Sequence, residues 1–275
     1  PKRKLGGLST DEQVMAVDNH LKYFHGSLHA ELRPILEAEL AEYGHIYCYF
    51  LLPAKHVSAT PFGDLPAEKA DSRCMMHMIL NNLDPAVAQF PQELITYGGN
   101  GAVFNNWAQF YITFKMMKGL QPGQTLSMHS GHPAGLWPTN SDQVPSAVIT
   151  NGMMIPHYST PNELDRTTAL GVSMYGQMTA GSWMYIGPQG IVHGTTLTVA
   201  SGVEMQANMT GASNDPKGKI FLTSGLGGMS GAQAKAGTIS GVVTILAEVD
   251  IDCLDKRHSQ GWLDEKFTDL DSLFK

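Results

Sequence analysis

The sequence predicts a mixed α/β fold. Capped amphipathic helix patterns fill its N-terminal part, and short apolar runs bounded by glycine and proline follow them. A strand, a glycine-rich turn, a helix and a second strand then succeed one another between Lys219 and Glu248. At 275 residues, 43% of them hydrophobic and 16% charged, the chain can fill one large core or two ordinary ones.

The basic residues Lys2, Arg3 and Lys4 read as a solvated terminus. Ser9 and Glu12 then have capping-box spacing, and Val14, Val17, Leu21 and Phe24 recur at helical intervals behind them, which predicts a first helix. A second is expected from Ala30 to Tyr43, with Leu32, Ile35, Leu36 and Leu40 on one side and Gly44 closing it; Pro34 fits only in its first turn. Ile46 to Leu52 predicts a short strand. Pro66 is expected to open a third helix through Met75, Met76, Met78, Ile79 and Leu80, with the methionines as core filler rather than metal-binding thioethers.

From Leu94 to Gly194 glycines and aromatics are dense, charges are few, and helical periodicity is almost absent. Tyr97-Gly98-Gly99-Asn100-Gly101 follows the apolar Leu94-Ile95, where a strand would end. Glycines there allow positive φ and close approach of a ligand, although a tight turn without a ligand has the same spelling. The stretch from Tyr175 to Gly190 crowds small residues, amides and aromatics together with no charge, a mixture suited to holding a flat polar ligand.

The most readable element follows a linker around Gly211 to Gly218. Lys219 to Thr223 is an apolar strand that runs into Ser224-Gly225-Leu226-Gly227-Gly228-Met229-Ser230-Gly231. Ala234 to Val242 then predicts a helix, Val243 to Ala247 a strand, and Glu248 stands at the end of that strand. In a dinucleotide-binding fold such glycines bring the helix N-terminus to the pyrophosphate, and an acidic residue about 20 positions on binds the adenosine ribose. The spelling departs from G-x-G-x-x-G at Ser230, so Gly228 and Gly231 are needed for the close approach. An acidic residue at 248 favours NAD over NADP.

Composition excludes several classes. A net charge of −7 provides no basic stripe for nucleic acid, and no run approaches the roughly 18 apolar residues of a membrane helix. Cys48, Cys74 and Cys253 are too few and too scattered for a disulfide framework or a zinc site, which points to the reducing cytosol. His129, His132, His157 and His193 lack carboxylate or thiolate partners at ligand spacing, so no metal is expected; His132 and His193 read as polar groups near an active-site mouth. No G-x-S-x-G elbow supports a serine nucleophile.

Tyr97 to Gly101 with Asn106-Trp107, SGHPAGLWP from Ser130, NGMMIP from Asn151, YGQMTAGSWMYIGPQGIVHGT from Tyr175 and TSGLGGMSGAQAKAG from Thr223 resemble, in order and spacing, the urocanate hydratase (urocanase) family. The resemblance runs from about Tyr43 to Trp262. It implies an N-terminal catalytic-core domain over residues 1–188 and the beginning of an inserted Rossmann-like NAD-binding domain over 189–275. It implies a cytoplasmic, homodimeric lyase of histidine degradation that adds water to urocanate, with tightly bound NAD as an electrophile instead of a hydride carrier. Carried over residue by residue, it implies cofactor contacts from Gly98, Gly99, Gln177, Gly228, Met229, Ser230 and Glu248, with serine at 230 where bacterial relatives have glycine. Tyr97 and Tyr175 would line the urocanate pocket, or could be packing. The family's active-site cysteine would lie beyond Lys275, in chains about twice this length, so these residues alone are expected to be inactive. An ordinary NAD-dependent dehydrogenase would explain the glycine turn and Glu248 equally well but leaves the Tyr175 stretch unexplained; a truncated, non-catalytic fragment is the third reading.

Overall fold

The computed structural model describes residues 7–141, 143–150, 160–176, 180–184, 188–227 and 229–274. The chain forms two compact units, Pro1–Tyr185 and Ile186–Lys275. Among the described residues no helix is long and apolar enough to cross a membrane.

Unit 1 opens with α1 (Thr10–Leu21). Ser9 Oγ accepts from Glu12 N, and the Glu12 carboxylate accepts from Ser9 N at 2.8 Å, so both halves of the capping box form. Glu12 also pairs with Arg166, which ties the start of α1 to a later helix. In α2 (His29–Tyr43) Leu32, Leu36 and Leu40 are buried against Val17 and Leu21 of α1, and Gly44 closes the helix at φ 68°. Two details differ from expectation. The apolar stripe is narrower, because Val14 and Ile35 face solvent. Pro34 lies beyond the first turn, and the helix accommodates it near its N-terminal end, where the i→i−4 bond that proline cannot donate is lost.

The expected strand over 46–52 does not form. Ile46, Tyr47 and Cys48 are buried, but Cys48 adopts a left-handed conformation and Tyr49–Leu51 make a 3-10 turn. The Glu39 carboxylate takes the N–H groups of Tyr47 (2.7 Å) and Tyr49 (3.3 Å). A side chain has thus replaced the neighbouring strand as hydrogen-bond partner. Helix α3 (Ala70–Leu83) begins four residues after Pro66, where it was expected to open. Ala67 N–H instead turns back onto Leu65 C=O, closing a tight turn. Met75 and Met76 are buried in the main core, as core filler should be.

The middle of the chain is more helical than its sequence suggests. A short hairpin, β1 (Ile95–Tyr97) and β2 (Gly101–Ala102), leads into α4 (Trp107–Gly119), whose N-cap Asn106 accepts from Gln109 N at 3.0 Å. Helix α4 buries Trp107, Ala108, Gln109, Phe110, Thr113 and Met117. A helix apolar on several sides has little amphipathic period to detect. Strand β3 (Gln124–His129) pairs antiparallel with β4 (His132–Pro138) and parallel with β5 (Ala147–Thr150), and its Leu126 and Met128 complete the core with Trp107, Phe110, Ile79 and Leu83. Helix α5 (Pro161–Ala169) starts from Thr160, whose hydroxyl accepts from Glu163 N.

Unit 2 begins with α6 (Pro188–Thr210), a 23-residue helix that the sequence reading did not foresee. Its glycines and β-branched residues lower helix propensity, and packing along α7 (Ala232–Ser240) overrides them. Strand β6 (Ile220–Ser224) pairs parallel with β7 (Val243–Ala247), Ile220 opposite Val243 and Ser224 opposite Ala247. Helix α7 lies close on β7 because residue 237 is glycine: an added Cβ would stand 1.7 Å from Thr244 Oγ1. Ile220 and Leu222 on β6 are exposed. Helices α8 (Ile251–Ser259) and α9 (Leu270–Leu273) follow.

Two stability measurements test this packing. Gly171 has φ +73°, and a Cβ there would meet the ring of His20, which is wholly buried, at 2.5 Å. Gly171→Ala should therefore destabilise the protein by roughly 2 kcal/mol or more in urea titration; a change within a few tenths would show that the ring can yield. Burial raises the Glu39 carboxyl from its ordinary 4.5 to about 7, against the pull of its backbone donors. The folded state then binds this proton more tightly than the unfolded chain, so this group's contribution to stability falls as pH rises from about 4.5 through 7. The wild-type minus Glu39→Gln stability difference should decline over that interval, and a flat difference would refute it.

Candidate functional site

Two separate groups of candidate residues take shape, one in each unit. In unit 1 the Tyr97–Gly101 segment is the tip of the β1–β2 hairpin, with Gly98 at φ 68° and Gly99 at φ 78°. The positive φ expected of these glycines is present, and the turn itself requires it; Gly99 N–H also donates to Gln89 Oε1 at 2.7 Å. Ala102 N donates to Tyr175 C=O at 2.9 Å, which brings the hairpin beside the start of the second glycine-rich stretch. Ile95, Asn100, Ala102 and Tyr175 share a cavity of about 30 Å³ with His45, Tyr47, Glu93 and Asn105. Tyr175 lines this cavity, and Tyr97 is not among its lining residues. Trp183, from the same stretch, is core: it is buried against Phe104 with ring centroids 6.0 Å apart. Gln177 lies outside the described residues.

A polar network that sequence reasoning missed lies at the start of α4. Gln109 Nε2 donates to Tyr23 OH at 2.8 Å, and the Tyr23 hydroxyl donates in turn to His132 Nδ1. Gln109 Oε1 accepts from Asn105 N at 2.8 Å, and Asn105 Nδ2 reaches Ser173 C=O at 2.9 Å. Burial pushes the Tyr23 hydroxyl up to about 12 and lowers His132, so both stay neutral near pH 7. His132 is therefore a member of an internal network, while His193 stands exposed on α6. A histidine's partner over a hundred positions away in sequence leaves no local signal. Among the described residues no three His, Cys, Asp or Glu side chains group to hold a metal ion.

In unit 2 the strand, turn, helix and strand follow one another in the expected order. Met229 and Ser230 come immediately before Gly231, the N-cap of α7, where the helix dipole favours an anion; Gly228 lies outside the described residues. Ser230 Oγ accepts from Gly227 N at 3.1 Å. Glu248, at the end of β7, reaches back to the turn and accepts from Leu226 N, while its other oxygen accepts from Val249 N and Asp250 N. These backbone donors, Asp250 N–H foremost, hold its carboxyl below the usual carboxylate range, so it is ionised at neutral pH. A carboxylate offers about four lone-pair sites; among the described residues three backbone N–H groups bond to it. A helix N-terminus thus follows the turn that the Glu248 carboxylate holds.

The signature of the Urocanase N-terminal domain matches residues 57–184, and that of the Urocanase Rossmann-like domain matches residues 187–275. The chain belongs to the urocanase family. Human urocanate hydratase is 53% identical over 264 residues, covering 96% of this chain and 38% of that protein. The mouse urocanate hydratase is 52% identical over the same shares. A probable urocanate hydratase of Dictyostelium discoideum is 48% identical, covering 97% of this chain and 39% of that protein. The chain thus spans well under half the length of these relatives. Within the urocanase frame, the hairpin and Tyr175 lie in the N-terminal domain match, and the glycine turn and Glu248 lie in the Rossmann-like match.

Serine at 230 is the position to test first. Ser230→Ala removes the only side-chain acceptor seen for Gly227 N–H among the described residues. It should cost about 1 kcal/mol of stability, the value of an ordinary intramolecular hydrogen bond. A change of less than a few tenths would mean that water replaces the hydroxyl without loss.

Proposed function

We propose that this chain is the N-terminal part of a urocanate hydratase, which adds water to urocanate to give 4-imidazolone-5-propionate in histidine degradation, with NAD held tightly throughout. The geometric observation that carries the cofactor reading is Glu248: a charged carboxylate fixed to the glycine turn through Leu226 N, beside the N-terminus of α7. The names of the relatives, at about half identity across nearly the whole chain, support urocanate as substrate.

In this reading Met229 and Ser230 approach the pyrophosphate at the α7 N-terminus and Glu248 takes an adenosine ribose hydroxyl, with Gly228 as a further member of the phosphate turn. Gly98, Gly99 and Gln177 contribute cofactor contacts from the N-terminal domain, and Tyr97 and Tyr175 contact urocanate. When bound, NAD supplies an electron-poor nicotinamide ring that draws electron density from the substrate's imidazole. Water addition delivers a proton and a hydroxyl from one water molecule, so the cofactor ends each turnover as it began. Glu248 stays ionised across the neutral range because its backbone donors are fixed, and so holds the ribose by a charge-assisted hydrogen bond. A cytoplasmic homodimer completes the proposal; the three free cysteines fit a reducing compartment.

Two experiments on the full-length protein test it. Denaturing the purified protein should release NAD, and added urocanate should lose its near-ultraviolet absorbance with no rise in reduced nicotinamide. Active protein that releases no dinucleotide would remove the electrophile role, and reduced cofactor appearing with turnover would favour a dehydrogenase. Glu248→Gln and Glu248→Ala should each weaken NAD retention by about tenfold or more, the effect of losing one charge-assisted hydrogen bond. Unchanged occupancy in both would place the ribose partner elsewhere.

A further inference from the structure

Two side chains hold the glycine-rich turn at Leu226 and Gly227. Leu226 gives its N–H to Glu248, and its C=O accepts from Arg257 Nε at 3.0 Å. The same guanidinium donates from Nη2 to Gly227 C=O at 2.8 Å and from Nη1 to Gln260 Oε1 at 2.8 Å. Its Cζ lies 4.7 Å from the centroid of the Trp262 ring, so the fork is stacked as well as bonded. Arg257 comes from α8, some thirty residues after the turn, and no dinucleotide fingerprint asks for it.

The consequences pass through the peptide planes. A trans peptide keeps its C=O and N–H on opposite sides, so fixing Leu226 C=O against Arg257 turns Gly227 N–H the other way, where it donates to Ser230 Oγ. Ser230, two positions before α7, is thereby tied to a peptide plane that Arg257 holds. Space there is tight: a Cβ at Gly231 would lie 2.7 Å from Arg257 Nε and 2.9 Å from Gly227 O. Glycine at 231 is therefore required by the guanidinium and by the backbone together.

We propose that Arg257, stacked on Trp262, is a positioning residue of the dinucleotide site: by holding the carbonyls of Leu226 and Gly227 it fixes the turn in the form that presents Met229 and Ser230 to the pyrophosphate. The proposal rests on the reading that this turn binds NAD, and it requires no contact between Arg257 and the cofactor. Lysine is no substitute, because one ammonium on a flexible stem cannot bridge two carbonyls and stack on an indole at once.

The test uses the full-length protein as wild type, Arg257→Lys, Arg257→Gln and Trp262→Leu. Bound NAD is released by acid and quantified, and its exchange with isotopically labelled NAD is timed. Wild type should carry NAD. Arg257→Lys should exchange it at least about tenfold faster, the scale of one lost charge-assisted hydrogen bond, Arg257→Gln faster still, and Trp262→Leu about threefold faster, the scale of one lost cation–π contact. Millimolar added NAD should restore much of the lost urocanate turnover in Arg257→Lys, while the urea midpoint of the NAD-free variant stays near that of NAD-free wild type, which separates a positioning loss from a folding defect. Wild-type exchange rates in both Arg257 variants, with NAD present in the wild type, would overturn the proposal, as would a loss in Arg257→Lys that added NAD does not recover. If Arg257→Gln does not fold, Arg257→Lys and Trp262→Leu decide by the same rates. Wild-type protein without NAD would instead overturn the cofactor reading and the proposal with it.

Discussion

Unit 1 depends on buried amide groups at the start of α4. Asn105 and Gln109 together bond to segments that lie far apart in the chain: the His45 ring donates to Asn105 C=O, Asn105 Nδ2 reaches Ser173 and Thr168, and Gln109 reaches Tyr23 and, through it, His132. Each of these groups is removed from bulk water to some degree, and a buried polar atom without a partner costs about 1–3 kcal/mol. Such a network favours one arrangement over many, because moving any one segment strands several donors at once. The apolar core around Trp107 and Phe110 supplies much of the driving force, and the amides choose the register in which it packs.

The same logic governs irregular backbone elsewhere. Glu39 satisfies the N–H groups of Tyr47 and Tyr49 where the chain runs buried without a neighbouring strand, and Glu248 satisfies Leu226 where it leaves β6. The two carboxylates differ in surroundings. Glu39 is deeply buried and its proton is held more tightly; Glu248 is partly open, takes several backbone donors, and remains charged. One acts as a structural acceptor, while the other keeps a charge available beside a helix N-terminus. In unit 2 side chains hold the turn at Leu226 N–H, Leu226 C=O and Gly227 C=O.

The features legible in the sequence were those whose cause is local. Ser9 and Glu12 cap α1 because three residues of helix bring them together, Gly44 closes α2 because glycine takes the left-handed conformation without steric cost, and Lys219 to Glu248 reads as strand, turn, helix and strand because each period and each breaker lies within its own segment. The serine at 230 was visible as a departure from the glycine pattern, and its hydroxyl now has a partner in Gly227 N–H. Tyr175 lines the small cavity beside the hairpin, a placement that the sequence, with a tyrosine next to glycine at both 97 and 175, does not distinguish.

By itself the sequence determined the α/β class, the capped N-terminal helices, the parallel β6–β7 pair around a glycine turn, and Glu248 at the end of β7. Each follows from hydrogen bonds and steric limits within a few residues. Tertiary structure alone decided that residues 46–52 would turn instead of extending, that α4 and α6 would be helical despite weak patterns, that Tyr23 would meet His132, and that Arg257 would grip Leu226 and Gly227. In each of these the deciding partner is a side chain or a packed surface distant in sequence. The free energy of satisfying a buried donor or covering an apolar face there outweighs the few tenths of a kcal/mol per residue that local propensity contributes.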